Sequence, residues 1–547
     1  GHQNYSEGAR GGDTAPVPKP DDAAFLQYTS GSTAKPKGVV VSHRSLMHNM
    51  LVIVTALRAR TDTIVVSWLP QFHDMGLIGS CLALLFCGGS GYYMSPLSFI
   101  KDPLLWLRLV TYYEGTHLQG PNFAYALCVK RARAWLKKAS NHPLELNLAS
   151  IKHVFNAAEQ IRAETIDDFL GVFSSFGFSA SAMSPGYGLA EHTVYVCDRG
   201  GTLLHVDLET LERDGTLSKG DTSLVSCGTP PRNANIEIVI VDTDEGAKVC
   251  DEGTVGEIWL SSESAASSYW MKPEVSAETL RATIPGRKGQ FLRTGDLGML
   301  VEGELYVTGR IKDVIIVRGR NHAPQDIEYT VQQACASFRP GCIAAVSTKG
   351  REEGLAILAE VRDGTPINVV QNQVSLLMGA VPQKHGITCQ VCIVLKKGSL
   401  PKTTSGKLKR HTVKKMLEQN AFNPLYSKAL GVSRSGTAET AESIFPAEGY
   451  TETLCKYTAK GREAHLISKI VLYANRVCGI DEIKPEENIL QLGGDSLSLV
   501  QLHGSITASL DVDIAPSSFF ENPSPQGIAH AVLDEFELEH PVPENSV

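Results

Sequence analysis

From residue 23 to about 310, short apolar runs such as "TIVVSWLP", "IKHVFNAAE" and "ANIEIVIVD" alternate with longer stretches of helical period. That alternation confines this part of the chain to α/β layering around a central sheet. At 547 residues the chain exceeds what one hydrophobic core organises, so several domains are expected. The patterns divide it into a polar tail at 1–22, a large α/β domain at 23–311, a small α/β domain at 312–430, a linker at 431–460 and an all-α four-helix bundle at 461–540. The linker assignment rests on "GVSRSGTAETAESIFPAEGYTET", which is poor in large apolar residues.

Charge separates the end of the chain from its body. The formal net charge is -8, yet residues 461–547 hold 14 acidic and 4 basic side chains. The remainder is close to neutral, which excludes a global basic field for nucleic acid or an anionic membrane. The acidic end suits docking to basic partner surfaces. Residues 75–100 carry no charge, but five glycines, four serines and a proline interrupt them, so a buried helix followed by a strand is expected and no membrane span. Twelve cysteines lie scattered without a disulfide framework, and a reducing, cytoplasmic setting is expected. Cys389 and Cys392 sit in "ITCQVCIVL", whose alternation is that of a strand packing its thiols rather than a metal site.

The densest chemical signal is Tyr28-Thr29-Ser30-Gly31-Ser32-Thr33-Ala34-Lys35-Pro36-Lys37-Gly38, between the apolar "AAFLQ" and "VVVSH". Small residues let backbone amides approach phosphate oxygens, hydroxyls add donors and lysines add positive charge. It is not a Walker loop, because GxxxxGK[ST] does not occur. Taken alone, "PKTTSGKLKR" with Lys407 is an ordinary basic loop.

Taken together, "YTSGSTAKPKGVVVSH", "YGLAEHT", "RTGDLG", "GRIKDVII" and "PKTTSGKLKR" follow the order and spacing of the adenylate-forming superfamily, and the chain resembles that family over roughly residues 24–425. "SWLPQFHDMGLIGS", "GPNFAYALCVKR", "NAAEQIRAETIDDF" and "VRGRNHAPQDIE" resemble its fatty acyl-AMP ligase branch. The resemblance implies that a carboxylic acid, a fatty acid above all, attacks the α-phosphate of ATP to give an acyl-AMP. Because that step brings anions together, its catalysis is electrostatic and positional.

Roles carry over residue by residue. The resemblance implies that Thr29, Ser30, Gly31, Ser32, Thr33 and Lys37 hold the leaving phosphates. Glu191, after Tyr187 and Gly188, would bind Mg²⁺, a hard cation that takes oxygen ligands. Ala157, Ala158 and Glu159 would lie along adenine with the Tyr187 ring stacked on it. Asp296 and Arg310 would hold the ribose. Lys407 would bridge the carboxylate and the α-phosphate, His73 would gate the acyl entrance, and Lys312 would be the hinge on which the small domain turns.

"LQLGGDSLSLVQL" resembles a carrier domain with Ser496 as the phosphopantetheine attachment point. It implies a phosphopantetheinyl transferase, and downstream polyketide synthase or nonribosomal peptide synthetase modules, as partners. Family members carry a longer segment than the 28 residues ahead of Thr29 here, so an incomplete first lobe is expected in the large domain. Three alternatives remain open. A fatty acyl-CoA ligase is disfavoured by a long 197–226 segment, which resembles the insertion of the AMP-ligase branch. An amino-acid adenylation domain is disfavoured by Phe72-His73, where that class has Phe-Asp. The third is a non-catalytic, truncated carrier scaffold.

Overall fold

The computed structural model describes residues 17–29, 36–138, 144–244, 246–317, 320–348, 354–403, 407–429, 444–445, 450–476, 478, 480, 483–492, 496–510, 512, 514 and 516–541. It divides into two compact units, one running to Ile311 without Leu208–Asp214, the other comprising Leu208–Asp214 and Lys312 onward.

The first unit contains a five-stranded parallel sheet in the order Ser90–Tyr93, Ile64–Ser67, His117–Gly120, His153–Asn156, Met183–Pro185. The middle strands His117–Gly120 and His153–Asn156 are buried along their whole length, as expected where helices cover both faces of a sheet. The helices Pro103–Tyr113, Asn122–Lys138 and Ala163–Phe173 contribute Trp106, Tyr125, Phe169 and Phe173 to one core. The buried Trp106 indole donates to the Val66 carbonyl at 2.8 Å, so its polar edge is satisfied.

A second sheet, antiparallel, runs Lys248–Val249, Glu237–Asp242, Gly256–Ser261, Leu292–Val301, Glu304–Arg310. A third joins Ala23–Thr29, Lys37–Ser42 and Ser268–Tyr269. Ser42 ends its strand and caps the helix His43–Ala56 through a reciprocal Ser42–Ser45 capping box. Within the 197–226 segment, Leu203–Val206 pairs antiparallel with Thr222–Val225, with the helix Leu208–Asp214 between them in sequence.

In the second unit a four-stranded sheet orders Phe338–Thr348, Gly354–Val361, Cys389–Leu395, Tyr426–Ala429. The helices Pro324–Ala334 and Ile367–His385 share its core. Helix Leu208–Asp214 groups with this unit, its Glu209 on Arg320 at 2.9 Å and its Glu212 on the buried His322 at 2.8 Å. Cys389 and Cys392 are buried in that core, and burial pushes the Cys389 thiol up to about 12. All twelve cysteines are free thiols. No described helix is long and apolar enough to cross a membrane. Residues 75–100 form a π-helix, Met75–Leu82, then a short helix, Ala83–Cys87, and the strand Ser90–Tyr93.

The C-terminal helices Tyr450–Cys455, Ala459–Arg476, Ser496–Leu510, Pro516–Glu521 and Pro525–Glu539 close around a core of their own. Here the sequence reading of 431–460 as linker needs correction at its end. Ile444, Phe445, Tyr450 and Leu454 are buried among Leu466, Ile470 and Ile506, so the bundle begins before residue 461. Low apolar content averaged over the segment concealed four anchors spaced along it, and a few buried side chains suffice to fix a chain.

Candidate active site

Four of the motifs meet in the first unit. Strand pairing places Asp296 opposite Arg310, and the Arg310 Nε lies 2.7 Å from Asp296 Oδ1. The Tyr187 hydroxyl donates to Asp296 Oδ2 at 2.7 Å, and the Asp296 amide donates to Thr294 Oγ1 at 3.0 Å. Asp296 is buried, while the Arg310 side chain is half exposed. Burial, reinforced by the Asp296 charge, raises the Tyr187 phenol well above its usual value, so it remains a donor. Sequence reading had Tyr187 only as a stacking ring; the hydroxyl that orients Asp296 was missed.

Next to Tyr187, Gly188 is compulsory: a Cβ there would sit 1.9 Å from the Val194 carbonyl oxygen. This close crossing lets the short turn Ala190–His192 present Glu191. Tyr269 donates its hydroxyl to Glu191 Oε1 at 3.0 Å, and burial raises the Glu191 carboxyl. The same Tyr269 ring carries the Lys37 ammonium 4.6 Å from its centroid. Lys37 and Thr29 are paired across the first two strands, so the ends of the hydroxyl-glycine-lysine loop are fixed. Ser30, Gly31, Ser32 and Thr33 lie outside the described residues.

Ala157 and Ala158 follow the strand His153–Asn156, and Ala158 adopts a left-handed φ of 72°. A non-glycine residue in that region stores of order 1–3 kcal/mol of strain, a device found where backbone must face a ligand. The Glu159 side chain accepts from the Phe123 amide at 2.5 Å, placing its charge at the start of helix Asn122–Lys138, where the helix dipole favours it.

His73 contacts its neighbour Asp74 (Nδ1 to Oδ1, 2.5 Å), whose side chain also caps the π-helix through the Met75 amide at 2.7 Å. π-Helical turns are rare and recur at functional positions. This one is pinned by Gln119, which donates to the Gly79 carbonyl at 2.9 Å and accepts from Ser80 at 3.0 Å.

Lys407 belongs to the second unit. Its amide donates to Thr403 Oγ1 at 3.0 Å, and its carbonyl accepts from the Thr403 amide at 2.8 Å. Three residues on, Arg410 holds Glu328 at 2.6 Å and Asp313 at 3.6 Å, anchoring the loop to that unit. Lys312 is exposed, and the division between the units falls immediately before it. Ser496 opens the helix Ser496–Leu510.

Comparison with known proteins decides the family. The chain is 38% identical over 433 residues to the medium-chain fatty acid–acyl-carrier-protein ligase JamA of Moorena producens, covering 76% of this chain and 72% of that one. The chain belongs to the fatty acyl-AMP ligases. It is 35% identical to the long-chain fatty acid–AMP ligase FadD26 of Mycobacterium marinum, over 75% of this chain and 72% of the relative. It is also similar to a solved structure of the fatty acyl-adenylate ligases from E. coli and L. pneumophila (33% identity, TM-score 0.66, 74% of this chain and 72% of that one). Residues 2–270 match the AMP-binding enzyme family, residues 312–424 the Disco-interacting protein 2-like AMP domain, and residues 468–532 the phosphopantetheine attachment site. A fatty acyl-AMP ligase is thus fused to a carrier domain in one chain.

Proposed function

We propose that this ligase activates a fatty acid as its acyl-AMP and delivers the acyl group to the phosphopantetheine thiol of a carrier, its own domain included. The meeting of Tyr187, Asp296 and Arg310 carries the reading, because three motifs, one of them more than a hundred residues from the others, converge on one buried carboxylate in the unit that also holds Glu191 and Lys37.

In the first step a carboxylate oxygen of the acid bonds to the α-phosphorus of ATP, and the bond to pyrophosphate breaks. Asp296 accepts from the ribose hydroxyls, and Tyr187 and Arg310 fix the direction in which it does so. The strained turn Ala157–Ala158 and the carbonyls beside it lie against adenine. Thr29, Ser30, Gly31, Ser32, Thr33 and Lys37 receive the departing phosphates. Lys407 offsets the charge that builds on the attacking carboxylate and the α-phosphate, and His73, seated on Asp74, guards the acyl entrance. Lys312 serves as the hinge.

The donor set fits magnesium: a carboxylate has about four lone-pair sites, of which Glu191 gives Tyr269 one. Magnesium bound there would neutralise the phosphate oxygens. In the second step the carrier thiol attacks the acyl carbonyl and AMP departs. The arm on Ser496 supplies that thiol; a serine opening a helix suits a phosphodiester, since the helix N-terminus favours negative charge. A phosphopantetheinyl transferase installs the arm, and a polyketide synthase or nonribosomal peptide synthetase module consumes the acyl chain. The structured 197–226 segment, two paired strands with a helix between them, supports AMP-ligase over CoA-ligase chemistry.

Pyrophosphate exchange measured across fatty, aromatic and amino acids tests the reading, with coenzyme A and holo-carrier compared as acceptors. Exchange with fatty acids and thioester formation on the carrier are expected. Efficient acyl-CoA production, or exchange driven by amino acids alone, would overturn it.

A further inference from the structure

One aromatic side chain touches both charged groups, Glu191 assigned to the metal and Lys37 assigned to the phosphates, and no motif announces it. Tyr269 is buried in the two-residue strand Ser268–Tyr269, which pairs with Lys37–Ser42 through Tyr269 and Val39. Its amide donates to Ser276 Oγ at 2.8 Å, and the following Trp270 amide donates to the Gly38 carbonyl at 2.7 Å. The backbone is therefore fastened both to the phosphate-loop strand and to the helix Pro273–Leu280. The Ala266 amide also donates to the Glu191 carbonyl at 2.8 Å, so the segment leading to Tyr269 is tied to the Glu191 turn as well. From this fixed stem the phenol uses both of its polar features. Its electron-rich face carries the Lys37 ammonium at 4.6 Å, and its hydroxyl holds Glu191 Oε1 at 3.0 Å.

We propose that Tyr269 is a positioning residue for adenylation: its ring seats the Lys37 ammonium and its hydroxyl aims the Glu191 carboxylate, setting the spacing of the cationic and anionic groups that grip magnesium-bound ATP. This rests on the assignment of Glu191 and Lys37 to metal and phosphate. Preorganisation of this kind lowers the cost of collecting flexible side chains around the ligand. A lysine has many rotamers, and an aromatic seat restricts them without neutralising the charge that the phosphates need. A hydroxyl donor likewise orients a carboxylate while leaving it negative, which a cationic partner would not.

The two functions separate by substitution. Tyr269→Phe keeps the ring and removes the hydroxyl; Tyr269→Leu removes both. ATP binding by the full-length chain is measured by calorimetry across a magnesium titration, beside pyrophosphate exchange, with Glu191→Gln and Lys37→Ala as references. Loss of a hydrogen bond to a charged group predicts that Tyr269→Phe needs about tenfold more magnesium for half-saturation. ATP affinity at saturating magnesium should stay within about twofold, since the ring is retained. Tyr269→Leu should add a loss of ATP affinity of roughly threefold to tenfold at saturating magnesium. In a Glu191→Gln background, Tyr269→Phe should cause no further change. If Glu191→Gln and Lys37→Ala are damaging but Tyr269→Phe leaves the magnesium dependence as in wild type, the positioning role is wrong and the site assignment survives. If the reference variants are themselves silent, the site assignment fails, and the proposal with it. Should Tyr269→Leu not fold, the hydroxyl half of the claim still stands or falls on Tyr269→Phe.

Discussion

The cluster around Asp296 and the loop bearing Lys407, both proposed to serve adenylation, are built in opposite ways. Asp296 is buried and held by Tyr187, Arg310 and Thr294, so the groups that would recognise a nucleotide also tie strands together. Lys407 is half buried, and its loop is shaped by the hydroxyl and amide of Thr403 and by Arg410. In the first region the side chains proposed to bind the nucleotide also hold strands together; in the second the loop is shaped by the neighbours of the lysine proposed to act. Among the described residues, the core of the carrier bundle has no residue in common with the core around the four-stranded sheet.

The largest effect should come from Ser496→Ala. Intact mass is expected to show one phosphopantetheine on the wild type and none on the variant, with acyl loading abolished and pyrophosphate exchange unchanged. Loss of exchange would show that the carrier and the adenylating domains do not function separately. A mixture of Ser496→Ala and Lys407→Ala chains then tells loading within one chain from loading between chains: only the latter restores acyl-carrier.

Lys407→Ala should cost about 2.7–4 kcal/mol of transition-state stabilisation, a loss of roughly 10²–10³-fold in exchange rate, with an unaltered Tm. A large drop in Tm would erase the contrast between loop and cluster. Asp296→Asn should weaken ATP binding and also lower stability by about 1–3 kcal/mol, since the Tyr187 and Arg310 contacts lose their charged acceptor. Denaturant unfolding checks this, and an unchanged midpoint would place Asp296 with Lys407 instead.

The smallest effect is on pH dependence. Burial depresses His117 to about 4, while its ring lies between Thr116 Oγ1 and the Leu57 carbonyl. Unfolded, it titrates near 6.5, so the unfolded chain binds more protons between these values. Stability therefore falls as pH drops from about 6.5 toward 4, by up to about 1.4 kcal/mol per pH unit from this group. His117→Gln should flatten the acid slope of Tm by one proton's worth while leaving exchange near neutral pH intact.

The α/β layering and the helical end were legible in the sequence because burial imposes period on apolar residues. The "YGLAE", "RTGDLG" and "GRIKD" motifs pointed to residues that the fold does bring together at Asp296. Tyr269 was not legible: its importance comes from a two-residue strand pairing with residues more than two hundred positions earlier, and local pattern carries no record of that. Nor was the role of Glu159 as a helix partner visible, because Phe123 lies 36 positions away. The early start of the bundle was hidden for a different reason, as Ile444 and Phe445 stand beside polar neighbours that dilute them in any window.

That early start bears on where the carrier can be cut. A carrier excised at residue 461 would leave behind Ile444, Phe445, Tyr450 and Leu454 and open the core they share with Leu466, Ile470 and Ile506. For transplantation, the portable piece begins upstream of Ile444, and a graft joined at the apparent end of the polar segment would carry an open, aggregation-prone seam.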